Sequence, residues 1–91
     1  MTKVFVVSFD GVDTGRRIIG VATSYTNVPG MIDADFVKHQ NYKDFKVVVD
    51  SMARISVEDG ATTTTYQIVE RDDKEYETGD CYLVQETWLY P

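Results

Sequence analysis

The sequence predicts a small α+β domain: an antiparallel sheet of about four strands with one helix packed on a face. Three observations carry that expectation. The chain closes on an aromatic run, Cys81-Tyr82-Leu83-Val84-Gln85-Glu86-Thr87-Trp88-Leu89-Tyr90, preceded by a threonine-rich run from Thr62 to Arg71. It opens on two apolar runs separated by a glycine-containing turn. Between these two pairs lies one segment, residues 42–58, with apolar residues at helical spacing.

The closing pair is the organising hairpin. Alternate strand residues point to opposite faces, so Tyr82, Val84, Glu86, Trp88 and Tyr90 share one face and Cys81, Leu83, Gln85, Thr87 and Leu89 the other. Four successive threonines, Thr62 to Thr65, are poor helix material because their χ1 is restricted against the preceding turn. The charged stretch from Asp72 to Asp80, with Gly79 near its end, supplies the connecting loop.

At the start, Lys3–Phe9 is apolar on both faces and suits the sheet interior. Asp10-Gly11-Val12-Asp13-Thr14-Gly15 has turn chemistry, and Arg16–Ser24 returns as a second strand. Gly20 within that strand signals a bulge or a close backbone approach. Val28-Pro29-Gly30 reads as a turn, after which Met31–Lys38 forms either two helical turns, with Ile32 and Phe36 on one face, or a structured loop.

Residues 42–58 admit two structures. As a helix, Phe45, Val48, Val49, Met52 and Ile55 form one stripe, with Asn41 as cap and Asp44 in the first turn. As a strand, Val47, Val49, Ser51, Ala53, Ile55 and Val57 fill one face, and Asp59-Gly60 makes a two-residue hairpin. The helix is preferred, because a strand that long is unusual and a small sheet needs a second layer. The strand alternative gives an all-β meander or small barrel.

Ninety-one residues, 1–91, make a single domain with a modest core. The formal charge is −6, from fifteen acids against nine bases, with Arg16-Arg17 the one adjacent basic pair. That balance argues against direct nucleic-acid binding and against attraction to an anionic membrane. It suits a basic protein surface as partner, or simply keeps the chain soluble. No apolar run approaches membrane-spanning length, and Met1-Thr2-Lys3 is followed by only a short apolar run that breaks at Asp10-Gly11, so the expected location is the cytoplasm. The single cysteine, Cys81, has no second thiol for a disulfide or metal site and reads as a small apolar strand residue.

Catalytic signatures are missing from the sequence. Gly11, Gly15 and Gly20 lack phosphate-loop spacing, the serines lack a nucleophile elbow, and His39 stands without assignable partners in a region read as loop. Asp10 and Asp13 flank a glycine turn without the pattern of a calcium loop. The expectation is a non-enzymatic protein with no cofactor and no metal. The stretch Glu70–Asp80 holds six acids against Arg71 and Lys74. Its functional interpretation is an acidic finger that imitates phosphates or docks on an Arg/Lys patch, and its ordinary interpretation is a solvated loop. The candidate partner-binding residues are Glu70, Asp72, Asp73, Glu75, Tyr76, Glu77, Asp80 and Tyr90, the two tyrosines being the aromatics assigned to the surface.

The opening Val4-Phe5-Val6-Val7-Ser8, followed after a turn by Ile18-Ile19-Gly20-Val21-Ala22-Thr23-Ser24, resembles the start of small uncharacterised domains common in bacteriophage and bacterial genomes. There, two opening strands precede a helix. The resemblance covers the first quarter of the chain and departs at Asn27-Val28-Pro29-Gly30, where those domains enter an alanine-containing helix directly. No functional residue carries over. The resemblance implies context alone, a small phage-type accessory protein; by analogy with small acidic phage proteins, which are often inhibitors, the expected role is to block a host enzyme or defence complex. Two other classes stand beside it. One is an assembly component, a homo-oligomer formed through a sheet edge. The other is a small-molecule binder with a concave site between the sheet and residues 25–41, anchored by His39 or Arg16-Arg17.

Overall fold

The computed structural model describes residues 2–39, 43–49, 56–58, 61–72, 74 and 76–89. Six strands and one helix follow in the order β1 (Thr2–Gly11), β2 (Gly15–Ala22), α1 (Val28–His39), β3 (Phe45–Val49), β4 (Ser56–Glu58), β5 (Ala61–Glu70) and β6 (Glu77–Leu89). They build one antiparallel sheet in the order β2-β1-β6-β5-β3, with β4 also paired to β5, and α1 packs on one face. The α+β class predicted from the sequence is the class observed.

Both predicted hairpins form. In the closing one, Tyr66 stands opposite Tyr82 and Thr64 opposite Val84. In the opening one, Gly11 faces Gly15 across a loop of Val12, Asp13 and Thr14. Gly15 has φ +78°, the left-handed conformation that a three-residue hairpin loop places at its end and that glycine adopts without cost. Val7 pairs with Gly20 but Ser8 with Ile18, so Ile19 is an extra residue and β2 bulges beside Gly20, as its glycine suggested. A Cβ at Gly20 would meet the terminal methyl of Met31 on α1, the end of a flexible side chain that can shift.

Two expectations are corrected. Within residues 42–58 the described segments Phe45–Val49 and Ser56–Glu58 are strands, not helix: β3 and β4 lie along the same side of β5, with Val47 opposite Ile68 and Val57 opposite Thr62. The length objection to a strand dissolves because there are two short ones. The layer over the sheet is taken by α1, and the valine triplet suits a sheet edge. Met52, Ile55 and Asn41 of the helical stripe and cap lie outside the described residues. The second correction concerns Val28-Pro29-Gly30, which opens α1 instead of turning before it. Proline is tolerated in a first helical turn because its missing N–H has no intrahelical acceptor there. A single 3₁₀ turn, Tyr25–Asn27, leads in from Ser24, whose side chain accepts from the Thr26 N–H.

The core lies between α1 and the sheet. Val28, Ile32 and Phe36, spaced four residues apart along one helical stripe, bury against Val7, Phe9, Ala22, Tyr66, Ile68, Tyr82 and Val84. The Phe9 and Tyr82 rings tilt against each other with centroids 5.3 Å apart. Trp88 is 45% exposed and carries the Lys3 ammonium over its ring at 5.3 Å.

The stripe predicts a sharp contrast between two helix positions. Ile32→Ala should lower stability by about 3 kcal/mol, through lost transfer energy and the cavity left behind. Val37→Ala, on the exposed side of α1, should change it by less than about 0.5 kcal/mol. Urea unfolding of the two variants checks this.

Candidate functional site

The acidic stretch folds as the tip of the β5–β6 hairpin, and backbone hydrogen bonds close it. The Glu70 N–H donates to the Tyr76 carbonyl at 3.0 Å, and the Arg71 N–H to the Asp44 carbonyl at 2.9 Å. Arg71 also spends its Nε on the Phe45 carbonyl, tying the tip to the start of β3. Asp72 Oδ1 accepts from the Lys74 N–H at 3.0 Å, the local side-chain bond that favours aspartate in turns. Tyr76 is 59% exposed, with the Lys74 ammonium 5.8 Å from its ring.

After the tip, β6 enters through a bulge. Val69 pairs with Glu77 and Gln67 with Cys81, so three residues, Thr78, Gly79 and Asp80, stand opposite Ile68. Gly79 at φ +90° makes the bend. The Thr78 hydroxyl donates to the Ile68 carbonyl, and the Asp80 N–H reaches back to Thr78 Oγ1. Asp80 Oδ1 accepts from the Val12 N–H at 2.9 Å, fastening this tip to the β1–β2 turn.

The candidate residues therefore divide. Glu70, half-buried at the end of β5, and Asp80 belong to the bonding of the tip. Asp72, Tyr76 and Glu77 are exposed at it. Asp73, Glu75 and Tyr90 lie outside the described residues. Because the tips of both hairpins share one end of the sheet, Asp13 and the 70% exposed Val12 join the same surface.

A second polar cluster was not foreseen as a unit. Asp35, on the inner flank of α1, receives both Arg17 guanidinium nitrogens at 2.9 and 3.1 Å and the Tyr82 hydroxyl at 2.8 Å. Its side chain is 9% exposed, whereas Arg17 remains 45% exposed and also stacks over Phe9 at 5.4 Å. Burial works against the Asp35 charge, but the bonds from Arg17 and Tyr82 outweigh it and hold the carboxyl below its ordinary value. The Asp35 bond holds Arg17 above its own ordinary value. Burial, reinforced by the Asp35 carboxylate, raises Tyr82 far above the usual phenol. His39 is the last residue of α1, not a loop residue; it is exposed, with Nε2 3.8 Å from Asp35 Oδ1. Arg16-Arg17 stands in the sequence as a basic pair and Tyr82 on one face of the closing strand. The available signal for Asp35 was an acid three residues after Ile32 and next to Phe36, at the margin of an apolar stripe.

The Tyr25 and Tyr66 hydroxyls form a second bond across the layer, between the 3₁₀ turn and β5. Cys81 is half-buried on the face away from α1; burial, then Asp10 and Asp80, raise its thiol above the ordinary value despite Arg16. A groove of about 420 Å³ runs between α1 and the sheet, lined by Pro29, Gly30, Ile32, Asp33, Val47 and Tyr66. Neither His39 nor Arg16-Arg17, the anchors expected of a small-molecule site, lines it; His39 lines a separate shallow cavity of about 270 Å³ with Ile19, Met31, Ala34, Asp35 and Lys38. Its polar groups are the Asp33 carboxyl and the Tyr66 hydroxyl already bonded to Tyr25. None of the described helices is long and apolar enough to cross a membrane.

Comparison with protein-family models, with curated proteins and with solved structures finds no match to this chain.

The Asp35 cluster fixes a pH dependence. A carboxyl held below its unfolded-state value contributes stability that is present above the ordinary aspartate range, near pH 3.9, and lost as pH falls through the folded value. Melting temperature should fall as the solution is acidified below about pH 4, and less steeply in Asp35→Asn. Asp35→Ala should cost about 2 kcal/mol at neutral pH, because it strands the buried Tyr82 hydroxyl.

Proposed function

We propose that the protein is a small, non-enzymatic binding protein whose acidic end occludes a basic surface on a protein partner. The observation that carries this is the meeting of exposed acid and exposed apolar surface at one end of the sheet. Asp13, Asp72 and Glu77 are exposed there beside Tyr76 and Val12. Carboxylates alone give long-range attraction that salt weakens, whereas an aromatic anchor among them supplies the desolvated centre of a protein interface. Asp73 and Glu75 add two further acids within the same stretch of sequence.

The acids also suit imitation of a phosphate row, so the partner surface is one rich in Arg and Lys that does not need nucleic acid to engage it. The resemblance of the opening strands to phage-type accessory domains points to a host enzyme or defence complex as the owner of that surface, with the host cytoplasm as the place of action. The anchoring of Asp80 to Val12, and of Arg71 to Phe45, supports this role physically. A preorganised tip loses less entropy on binding than a floppy one.

Replacing Asp72, Asp73, Glu75 and Glu77 together with Lys should abolish capture of a partner from bacterial lysate while leaving the melting curve within a few degrees of wild type. Capture by the wild type should weaken as salt rises. The same partner retained by the reversed-charge variant would remove this end of the molecule from the interface.

A further inference from the structure

β2 is a free edge: β1 pairs with one side of it, and none of the described residues pairs with the other. On the opposite side β5 is paired with two separate short strands, β3 and β4. An open edge presents backbone donors and acceptors to an extended chain. On β2 the bulge adds something more specific. Ser8 faces Ile18 and Val6 faces Val21, and Val6 and Ser8 point to one face of β1. Ile18 and Val21 therefore share that face although they are three residues apart, a spacing that regular alternation forbids. Both are exposed, at 68% and 58%, on the side away from α1.

We propose that β2 pairs antiparallel with β2 of a second copy, about a two-fold axis between Ile19 and Gly20, with Ile18 of each chain opposite Val21 of the other. An isologous contact needs a surface complementary to itself. The bulge makes β2 so. Ile18 and Val21 point away from α1, and Arg17, Ile19, Gly20 and Ala22 toward it, a pattern that reads the same from either end of residues 17–22. The facing pairs in this register within β2, Arg17 with Ala22 and Ile18 with Val21, then each fall on a common face.

This register also keeps like charges apart. Arg16 and Arg17 are the only charged residues of β2, and the antiparallel register sets them opposite uncharged residues at the two ends of the junction. It also carries the two acidic ends to opposite ends of the joined sheet, which separates the negative charge of two −6 chains. Arg17 keeps Asp35, since their bond lies on the helix side. Pairing of eight-residue edges buries less than the roughly 800 Å² per partner of a standard interface, so the dimer is reversible and concentration-dependent.

The test combines sedimentation equilibrium with site-directed crosslinking. Wild type should show a monomer–dimer equilibrium, and Val21→Lys should weaken it at least about tenfold without altering the circular dichroism spectrum. In a Cys81→Ser background, a mixture of Ile18→Cys and Val21→Cys chains should form a disulfide-linked dimer that neither chain forms alone, because facing strand residues lie within disulfide reach. Wild type that stays monomeric up to about 1 mM would overturn the proposal. So would a dimer that Val21→Lys leaves intact, or a mixture that crosslinks no better than its separate components.

Discussion

The Tyr82 phenol, wholly buried on the central strand β6, sets the constraint around which the rest of the molecule is arranged. A hydroxyl in a core needs a partner or it costs stability. Its partner is a carboxylate, Asp35, and a carboxylate so enclosed needs a cation in turn, which Arg17 provides. Tyr82 sits on a central strand, Arg17 on an edge strand and Asp35 on the helix, so one set of bonds fixes α1 against two strands at once. With Asp35 held there, Ile32 and Phe36 are turned onto the sheet and Val37 is turned out. The apolar stripe supplies most of the energy; the polar clamp sets the rotation at which it is delivered.

The strands of the two hairpins were legible in the sequence, whereas β3 and β4 fall where a helix was preferred and α1 was one of two readings of Met31–Lys38, for reasons visible in particular residues. Alternation in Cys81–Tyr90, four threonines, and glycines at 11, 15 and 20 each point to one local structure, and each agrees with the tertiary pairing. Residues 42–58 offered the stripe of a helix and the alternation of a strand together, and what decided the described part was the neighbour. β5 needed a partner on its second side, while α1 already filled the layer above. Pro29-Gly30 reads locally as a turn, and its place in a first helical turn depends on Val28 finding the core. Of the candidate surface, the exposure of Asp72, Tyr76 and Glu77 followed from composition. The structural role of Asp80 did not, because its partner Val12 is 68 residues away in sequence. The clamp was hidden for the same reason: Arg17, Asp35 and Tyr82 come from three elements and share no motif.

The surface is divided along the same lines. One end gathers exposed acid around Tyr76 and Val12, and one edge exposes Ile18 and Val21. The two regions make different physical demands, the first on salt-sensitive attraction and the second on backbone pairing and apolar contact. Both are available at once, since antiparallel joining through β2 leaves the two acidic ends free and far apart. A dimer would then present two acidic ends to a partner with repeated basic surfaces, with avidity beyond that of a single end.

The most direct measurement is a double-mutant cycle between Tyr82→Phe and Asp35→Ala by urea unfolding. If the clamp orients α1 against the sheet, the two losses should fall short of additivity by about 1–2 kcal/mol, the coupling expected of residues in one hydrogen-bonded network. Losses that add to within about 0.3 kcal/mol would mean that the apolar stripe alone holds the helix, and would contradict a polar clamp that sets its rotation.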